Sequence, residues 1–369
     1  MSHFGTLVCL PADTELPDLE KTLDALMARW DENREVEQYR DYETGSPDEH
    51  WWARALRRDA ERFGVATYES ELVDARAWFA ERSWERGTPE ERAEKEMRDI
   101  DEAHAWVQKF GTGPWTWEQV AEAYNARFHP GNELAQAGDD SCSERLLVDE
   151  QGAYTLSTLN PERKWDYWRI GGRWRNYFIA REAGPNLITS ERSWDSPAEG
   201  PMLDRLRVDG GPIGLLDFDA MRDEWAEKQL ARFDQWREIV AEHGEPPAWR
   251  DLLGLRDLGE MDMDTARRTY NSHPAIAAAQ KADLSGWGEG PEEEFGTTRE
   301  EFERLARLAA VPSYALVTLD GEWMAPGQMG WWGMSTDEAG EREAYRIEAN
   351  RYLESLDPSV LLVVLDLHI

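Results

Sequence analysis

Apolar runs with the character of β-strands lie at both ends of the chain, FGTLVCL at 4–10 and VLLVVLDLHI at 360–369. Residues 360–365 are apolar on both faces of an extended strand, which is typical of a strand in the middle of a sheet. The last residues alternate, so that Asp366 and His368 share one face. Antiparallel pairing of the two ends would place His3 beside both. We therefore expect one sheet that contains both terminal strands.

The polar residues at this expected sheet end have two interpretations. A cluster of His3, Asp366 and His368 could act as general acid and base, or form an incomplete metal site. Alternatively, they are strand-end residues that only contact backbone and solvent. We predict no metal, because three ligands need a geometry that the sequence does not specify.

Further strand-like runs lie at 165–179 and 314–319, with long helical stretches between them. A chain of 369 residues favours one domain with a large insertion, or two domains. We predict an α+β fold with one mixed sheet and large helical insertions. The predicted segments are 1–45 (N-terminal strand and lead-in), 46–140 (helical insertion), 141–215 (central hairpin region), 216–311 (helical insertion) and 312–369 (strand–helix–strand).

Helix starts are marked by capping boxes, in which Ser or Thr precedes Glu or Gln by three residues. They read SPDE at 46–49, TPEE at 88–91, TWEQ at 116–119 and STDE at 335–338. Gly64 and Gly111 are placed to end the first two helices. Further helices are predicted at 219–243, 264–283 and 298–310. If the strands near 314 and 360 share a sheet, a helical crossover should make them parallel.

The stretch KWDYWRIGGRW at 164–174 contains a Gly-Gly pair between two β-rich runs, which predicts a tight hairpin. Alternation then divides the side chains between two faces. The face expected in the core holds Trp165, Tyr167, Trp174 and Phe178. The other face holds Lys164, Asp166, Trp168, Arg173, Arg175 and Tyr177. Arginine forks and aromatic planes suit a planar or phosphorylated anion, although this face could equally be a solvated surface with Arg–Trp stacking.

The segment GQMGWWGM at 327–334 places three glycines around two tryptophans. Trp332 could stack on a base or sugar, or the loop could simply cover the sheet edge. Common motifs for phosphate loops, dinucleotide binding, zinc proteases and serine hydrolases are missing from the sequence.

Composition limits the function classes further. The chain has 75 acidic and 41 basic residues and a net charge of -34, which opposes non-specific nucleic-acid binding. No run approaches the ~20 apolar residues of a membrane span, and the start lacks a basic leader. Cys9 and Cys142 lie in unlike contexts, so we expect no disulfide. We expect a cytoplasmic protein without membrane contact.

Several separated blocks together resemble a family of uncharacterised proteins from bacteriophages and their bacterial hosts, actinobacteria among them. The blocks are MSHF at the start, WDEN at 30–33, NPERKWDYWRIGGRW at 160–174, GEWMAPGQMGWWGM at 321–334 and LDLHI at the end. The family usually has Cys where this chain has Leu367. The resemblance implies no established activity, but it implies that these distant blocks belong to one place, with looser helical stretches between them.

The sequence is compatible with two functions. The first is binding or processing of an anionic, nucleotide-like small molecule. Its proposed acid–base residues are His3, Asp166, Asp366 and His368, and its proposed ligand-binding residues are Lys164, Trp168, Arg173, Arg175 and Trp332. The second is a phage-type accessory protein whose acidic surface binds a basic host protein or mimics nucleic-acid charge, without catalysis. The sequence identifies no cofactor.

Overall fold

A computed structural model describes most of the chain. The described residues are 3–61, 65–68, 71–74, 89–129, 144–192, 205–284, 290–327 and 339–369, with only the backbone path described between 65 and 96. They divide into two compact units, Met1–Arg34 with Pro161–Ile369, and Glu35–Asn160. The chain thus leaves the first unit near residue 34 and returns to it near residue 161.

The strands within the described residues are β1 (His3–Leu10), β2 (Tyr39–Tyr42), β3 (Val65–Tyr68), β4 (Glu71–Asp74), β5 (Leu147–Asp149), β6 (Gly152–Ser157), β7 (Tyr167–Ile170), β8 (Phe178–Ile179), β9 (Arg207–Val208), β10 (Gly210–Pro212), β11 (Ala315–Val317), β12 (Trp323–Met324) and β13 (Leu361–His368).

The α-helices are α1 (Leu19–Met27), α2 (Trp51–Ala60), α3 (Pro89–Phe110), α4 (Trp117–Phe128), α5 (Phe218–His243), α6 (Trp249–Asp257), α7 (Met263–Asn271), α8 (Pro274–Lys281), α9 (Pro291–Glu294), α10 (Arg299–Ala309) and α11 (Ala339–Ser355).

The main sheet contains both terminal strands, as the sequence predicts, and the fold is α+β. Its order among the described strands is β10–β13–β1–β11–β12, and β7 also pairs with β13. Strands β1 and β13 are antiparallel along their full length, from His3 opposite His368 to Leu10 opposite Leu361. Pairing of β1 with β11 is parallel, so the sheet is mixed.

Each face of this sheet is covered by its own hydrophobic core, which explains why β13 is apolar on both sides. Leu7, Cys9, Leu362 and Val364 point into one core, which helix α11 covers with an apolar stripe. The α11 residues in that core are Tyr345, Ala349 and Leu353, with Tyr352 and Leu356 partly buried at its edge. The side chains that alternate with them, such as Val8 and Val363, point into a second core that contains α1.

The predicted hairpin at 164–179 is wrong. Residues Tyr167–Ile170 form β7, but β7 pairs with the chain's last strand, β13, instead of with residues 173–179. After Ile170 the chain enters a 3-10 turn at Gly172–Trp174, and Phe178–Ile179 pairs with β9. The backbone N–H and C=O groups of β7 bond to the edge of β13. In the predicted hairpin, they would have bonded to residues 173–179 instead.

The predicted parallel orientation of the strands near 314 and 360 is also wrong. Because β1 lies between them, parallel to β11 and antiparallel to β13, strands β11 and β13 are antiparallel. The reversal occurs in the Asp-Gly turn, after which β12 runs back along β11. Strand β12 is the last described strand before α11, so the crossover rule applies to β12 and β13. These two strands are parallel, because both are antiparallel to β11.

Helix signals in the sequence have mixed outcomes. The TWEQ motif is a complete capping box, in which Thr116 and Gln119 each bond the other's backbone N–H. Gly111 ends α3 with a φ of 86°. The SPDE motif instead forms a turn in which Glu49 binds Ser46, and α2 begins at Trp51 with His50 as its N-cap.

The structure also describes the three other stretches that were predicted to be helical. Helices α5 and α10 match the stretches predicted at 219–243 and 298–310. The stretch 264–283 is two helices, because Pro274 starts a new one after His273. Gly64 and the STDE motif lie outside the described residues.

The unit Glu35–Asn160 has its own core. Helices α2, α3 and α4 pack with Leu146 and Ala153 around buried Leu56, Trp115 and Val120. A three-stranded sheet with the order β2–β6–β5 belongs to the same unit. In neither unit does any described helix have the length and apolarity required to cross a membrane.

Candidate functional site

The site lies where the two terminal strands meet, at the start of β1 and the end of β13. In this register His3 lies opposite His368 and Gly5 opposite Asp366, so all four residues share one face of the sheet. His3 Nδ1 is 2.8 Å from Asp366 Oδ1. The sequence-based expectation that His3, Asp366 and His368 come together is therefore confirmed.

A second histidine–carboxylate pair lies directly beside the first. His368 Nδ1 is 2.6 Å from Asp166 Oδ1. The rings of His3 and His368 are 4.9 Å apart between centroids and meet edge to face at 69°. Because ionised carboxylates only accept hydrogen bonds, each Nδ1 carries a proton, and Nε2 is the nitrogen of each ring that can exchange a proton with a ligand. About 15% of each imidazole side chain remains exposed.

Asp366 is the structural centre of the site. Its side chain is 1% exposed, and its Oδ2 accepts from Arg169 Nε at 3.3 Å and Nη2 at 3.2 Å. The same oxygen accepts from the backbone N–H of Arg173 at 3.0 Å. With His3 on Oδ1, both carboxylate oxygens are satisfied by charge-assisted or backbone donors, as a buried carboxylate requires.

Asp166 is held in place by the terminal strand and by the segment after α1. The backbone N–H of Asp166 donates to the His368 carbonyl at 2.9 Å, and the Asn33 amide donates to the Asp166 carbonyl at 2.8 Å. Asn33 is itself fixed by Asp31 Oδ1, which accepts from the Asn33 backbone N–H at 2.8 Å. The WDEN block and the terminal strand thus meet at Asp166.

The Gly-Gly pair brings the chain unusually close to two buried carboxylates. Gly172 has a φ of +52°, and a Cβ there would lie 2.3 Å from Asp366 Oδ2. Gly171 has a φ of +70°, and its Cβ would lie 2.9 Å from Asp209 Oδ1. Asp209, fully buried, accepts from the backbone N–H groups of Asn176 and Ser190. Glycine is therefore required at both positions, because a side chain at either one would collide with a buried carboxylate.

Trp174 covers the sheet beside Asp366. Its indole lies against Gly5, where a Cβ would be 3.0 Å from the ring. Trp174 packs at the edge of the core that also contains Phe178, which is fully buried as predicted. The indole thus separates the polar sheet end from that core.

Two residues of the site were not identified from the sequence, Arg169 and Tyr167. Strand β7 places Arg169 opposite Asp366 and Tyr167 opposite His368. Tyr167 is 56% exposed, although it was predicted to be buried. The alternation of residues 167–170 places Tyr167 and Arg169 on one face of a strand. This identifies them as site residues only once β13 is known to be the partner of β7.

Trp168 lies on the other face of the sheet from the histidines. It is opposite Leu367 and packs at the edge of the core that contains Trp165. The predicted common face of Trp168 and Asp166 is wrong, because a bend at Asp166 precedes β7 and shifts the alternation by one residue. Trp165 is buried, as predicted.

The remaining predicted ligand-binding residues have separate positions. Arg173 is exposed, and its backbone contacts Asp366. Arg175 Nε donates to the Ser190 carbonyl at 3.1 Å. The Lys164 backbone N–H donates to the Trp30 carbonyl at 2.8 Å, and burial lowers the pKa of its ammonium group. Trp332 and the MGWWG loop lie outside the described residues.

Two cavities of the described chain lie away from the histidines. The larger, about 630 Å³, is at the opposite end of β1 and β13, with Thr14, Pro212 and Leu361 in its wall. The smaller, about 390 Å³, lies between α5 and α10. Neither is lined by Lys164, Asp166, Arg173 or His368.

Within the described ranges, no three His, Cys, Asp or Glu side chains are arranged so that they could hold a metal ion. Cys9 is buried in the sheet, and burial raises the pKa of its thiol to about 12, so it is not a reactive nucleophile at neutral pH.

Comparison of the chain with known protein families, with curated proteins and with solved structures finds no match. The suspected relationship to phage-associated proteins therefore remains a prediction from sequence blocks.

Proposed function

We propose that this protein binds a phosphate-bearing, nucleotide-like small molecule at the His3–His368 end of the main sheet and acts on it by proton transfer. One observation carries the proposal. Two imidazoles lie 4.9 Å apart, and each is oriented by a different carboxylate through Nδ1. Such pairs can supply one proton and accept another in the same reaction, which is the usual task of paired general acids and bases.

Cationic groups near the histidines support an anionic ligand. Arg169 lies beside Asp366, and the exposed residue Arg173 follows the Gly-Gly pair and donates its backbone N–H to the same carboxylate. Guanidinium groups bind phosphate oxygens through two parallel N–H bonds.

The exposed ring of Tyr167 supports an aromatic group in the ligand. It neighbours His368 on the same face and is 56% exposed, so its ring is accessible to a ligand. A nucleobase could stack on this ring while its phosphate reaches the imidazoles. Trp168, which the sequence suggests as a ligand-binding residue, lies on the other face of the sheet.

The cellular setting is part of the proposal. The sequence blocks resemble a phage-associated family, and we propose a cytoplasmic accessory protein. The alternative, an acidic surface that binds a basic host protein, rests on the overall charge and makes no use of the paired histidines.

Binding can be measured by titrating adenosine monophosphate into the purified protein and following heat or melting temperature. We expect saturable binding by the unaltered chain and at least roughly tenfold weaker binding by Arg173→Ala, since hydrogen bonds to charged groups contribute about 1.5–3 kcal/mol. The Arg173 backbone bond to Asp366 is retained in this variant. Arg250→Ala, a change at a side chain that is 81% exposed and lies on α6, is the matched control.

Equal affinities in both variants would contradict a role for Arg173. Absence of binding by the unaltered chain, together with tight binding to a basic polypeptide, would favour the acidic-surface alternative.

A further inference from the structure

We propose that the paired histidines cleave a phosphodiester that carries a nucleoside, with His3 as general base and His368 as general acid. This inference rests on the proposed function and assigns it a reaction and a direction of proton transfer. It follows from a difference between the two histidine–carboxylate pairs.

The carboxylate that holds His3 is already neutralised. Asp366 is buried and shares its charge with Arg169, whose Nη2 is 3.2 Å from Oδ2. It also accepts the Arg173 backbone N–H. A positive charge on His3 would therefore gain little from Asp366 and would lie near Arg169. Coulomb interaction thus favours His3 as the neutral, proton-accepting ring.

The carboxylate that holds His368 has a different environment. The Asp166 side chain is 38% exposed, and its Oδ1 lies 2.6 Å from His368 Nδ1. No ion pair to an Arg or Lys in the described chain reduces its charge in the way that Arg169 reduces that of Asp366. Asp166 consequently stabilises an imidazolium at His368. The different surroundings of the two carboxylates therefore assign His368 as the acid and His3 as the base.

The proton balance of the step is complete. Neutral His3 takes a proton from a water molecule through Nε2 as the water oxygen forms a bond to phosphorus. The bond from phosphorus to the leaving oxygen breaks, and that oxygen takes the Nε2 proton of His368. The products are a phosphomonoester and an alcohol, and exchange with solvent restores both rings. No oxidant or second substrate besides water is needed.

The local charge favours a diester over a monoester. With His368 protonated, Arg169 and His368 carry two positive charges, which balance Asp166 and Asp366. A phosphodiester carries one negative charge, whereas a monoester at neutral pH carries nearly two. Because these four charges balance, the second negative charge of a monoester has no counterpart among them, so the singly charged ester is favoured.

The assignment can be tested with two diesters that differ only in their leaving group. One is a dinucleoside monophosphate, in which the leaving alkoxide needs a proton. The other is a nucleoside 4-nitrophenyl phosphate, whose phenolate leaves without one. The variants are His3→Asn and His368→Asn, which keep a side-chain donor near the Nδ1 position. His243→Asn, at the last residue of α5, is the control.

We expect His3→Asn to lose about 100-fold or more in kcat on both diesters, the usual size of a general-base contribution. His368→Asn should lose as much on the dinucleoside but stay within about tenfold of the unaltered chain on the nitrophenyl ester. The control should match the unaltered chain. Melting curves of each variant report whether it is folded, and Asp166→Asn, which leaves His3 untouched, should reproduce the His368→Asn pattern if that variant is unstable.

Equal losses in both histidine variants on both diesters would overturn the assignment of roles. Loss of cleavage in a chelator such as EDTA would overturn chemistry by the imidazole pair. If the unaltered chain binds adenosine monophosphate but cleaves neither diester, this inference fails while the proposed function stands. If it neither binds nor cleaves, both fail.

Discussion

Single residues at the site are constrained mainly by the space around two buried carboxylates. Gly172 lies directly on Asp366, at a positive φ that L-residues rarely adopt. The adjacent Gly171 lies on Asp209 in the same manner. The sequence suggested this Gly-Gly pair as a hairpin tip. Its actual role is to let the backbone contact the two carboxylates, which occupy the space that side chains would need.

Replacement of Gly172 by alanine should destabilise the protein by about 2 kcal/mol or more, because the new Cβ is strained in φ and displaces Asp366. Gly254, inside α6, is the control, because a Cβ at this position would have no neighbouring atom within 4 Å. Gly254→Ala should stabilise by about 0.5–1 kcal/mol, since it removes a helix-interior glycine. Urea unfolding measures both. Similar free energies of unfolding for the two variants would show that Gly172 is not held against Asp366.

At the scale of single elements, the bend at Asp166 decides which aromatic residues are buried. Trp165 and Trp168 both contact the core that contains α1, although their spacing of three does not fit an uninterrupted strand. Tyr167, between them, is exposed on the other face. The bend also places the Asp166 carboxylate on His368.

Trp165→Ala should cost about 3–5 kcal/mol as a truncation in the core. Tyr167→Ala should change the free energy of unfolding by no more than about 0.5 kcal/mol, as is usual for exposed positions. Equilibrium denaturation of both variants tests the bend directly. A cost below about 1 kcal/mol for Trp165→Ala would mean that the two faces are assigned the wrong way round.

The N-terminus of α2 should make the stability of the unit Glu35–Asn160 depend on pH. His50 Nδ1 accepts from the Trp52 backbone N–H, and burial lowers the pKa of His50 from 6.5 to about 4. Below pH 6.5 the unfolded chain gains a proton that the folded chain does not. The free energy of unfolding should therefore fall as the pH drops from 6.5 to 4, by up to about 3 kcal/mol.

His50→Asn keeps an N-cap acceptor without the titrating ring, so it should lose much less stability over the same pH range. Glu43, whose Oε2 is 4.0 Å from His50 Nε2, has the opposite effect, because burial raises the pKa of its carboxyl group. Urea midpoints at the two ends of the range, compared between the two proteins, isolate the histidine. An identical pH dependence in both would rule it out.

At the scale of the whole molecule, the dominant electrostatic property is the net charge of -34. Many arginines in the described chain form ion pairs with neighbouring carboxylates, such as Arg304 with Glu301 and Glu343. Acidic residues nevertheless outnumber basic residues by 75 to 41. Repulsion among the excess carboxylates opposes compaction and is weakened by salt.

Raising the salt concentration from about 0.01 M to about 0.15 M shortens the Debye length from roughly 30 Å to roughly 8 Å and should raise the melting temperature at neutral pH. Near the isoelectric point, about pH 4.5, added salt should leave the melting temperature nearly unchanged or lower it, because the net repulsion between carboxylates is gone. Calorimetry at both pH values provides the comparison. Equal salt effects would show that net charge does not limit stability.

The sequence alone determined the strands at both ends of the chain, their shared sheet, and the meeting of His3 with Asp366 and His368. These follow from alternation along a strand and from antiparallel pairing, which are properties of the residues themselves. Only the tertiary structure decided that β7 pairs with β13, and with it the positions of Arg169, Tyr167 and Asp166. A strand's own residues specify its two faces, but they do not specify which distant edge its backbone N–H and C=O groups will find.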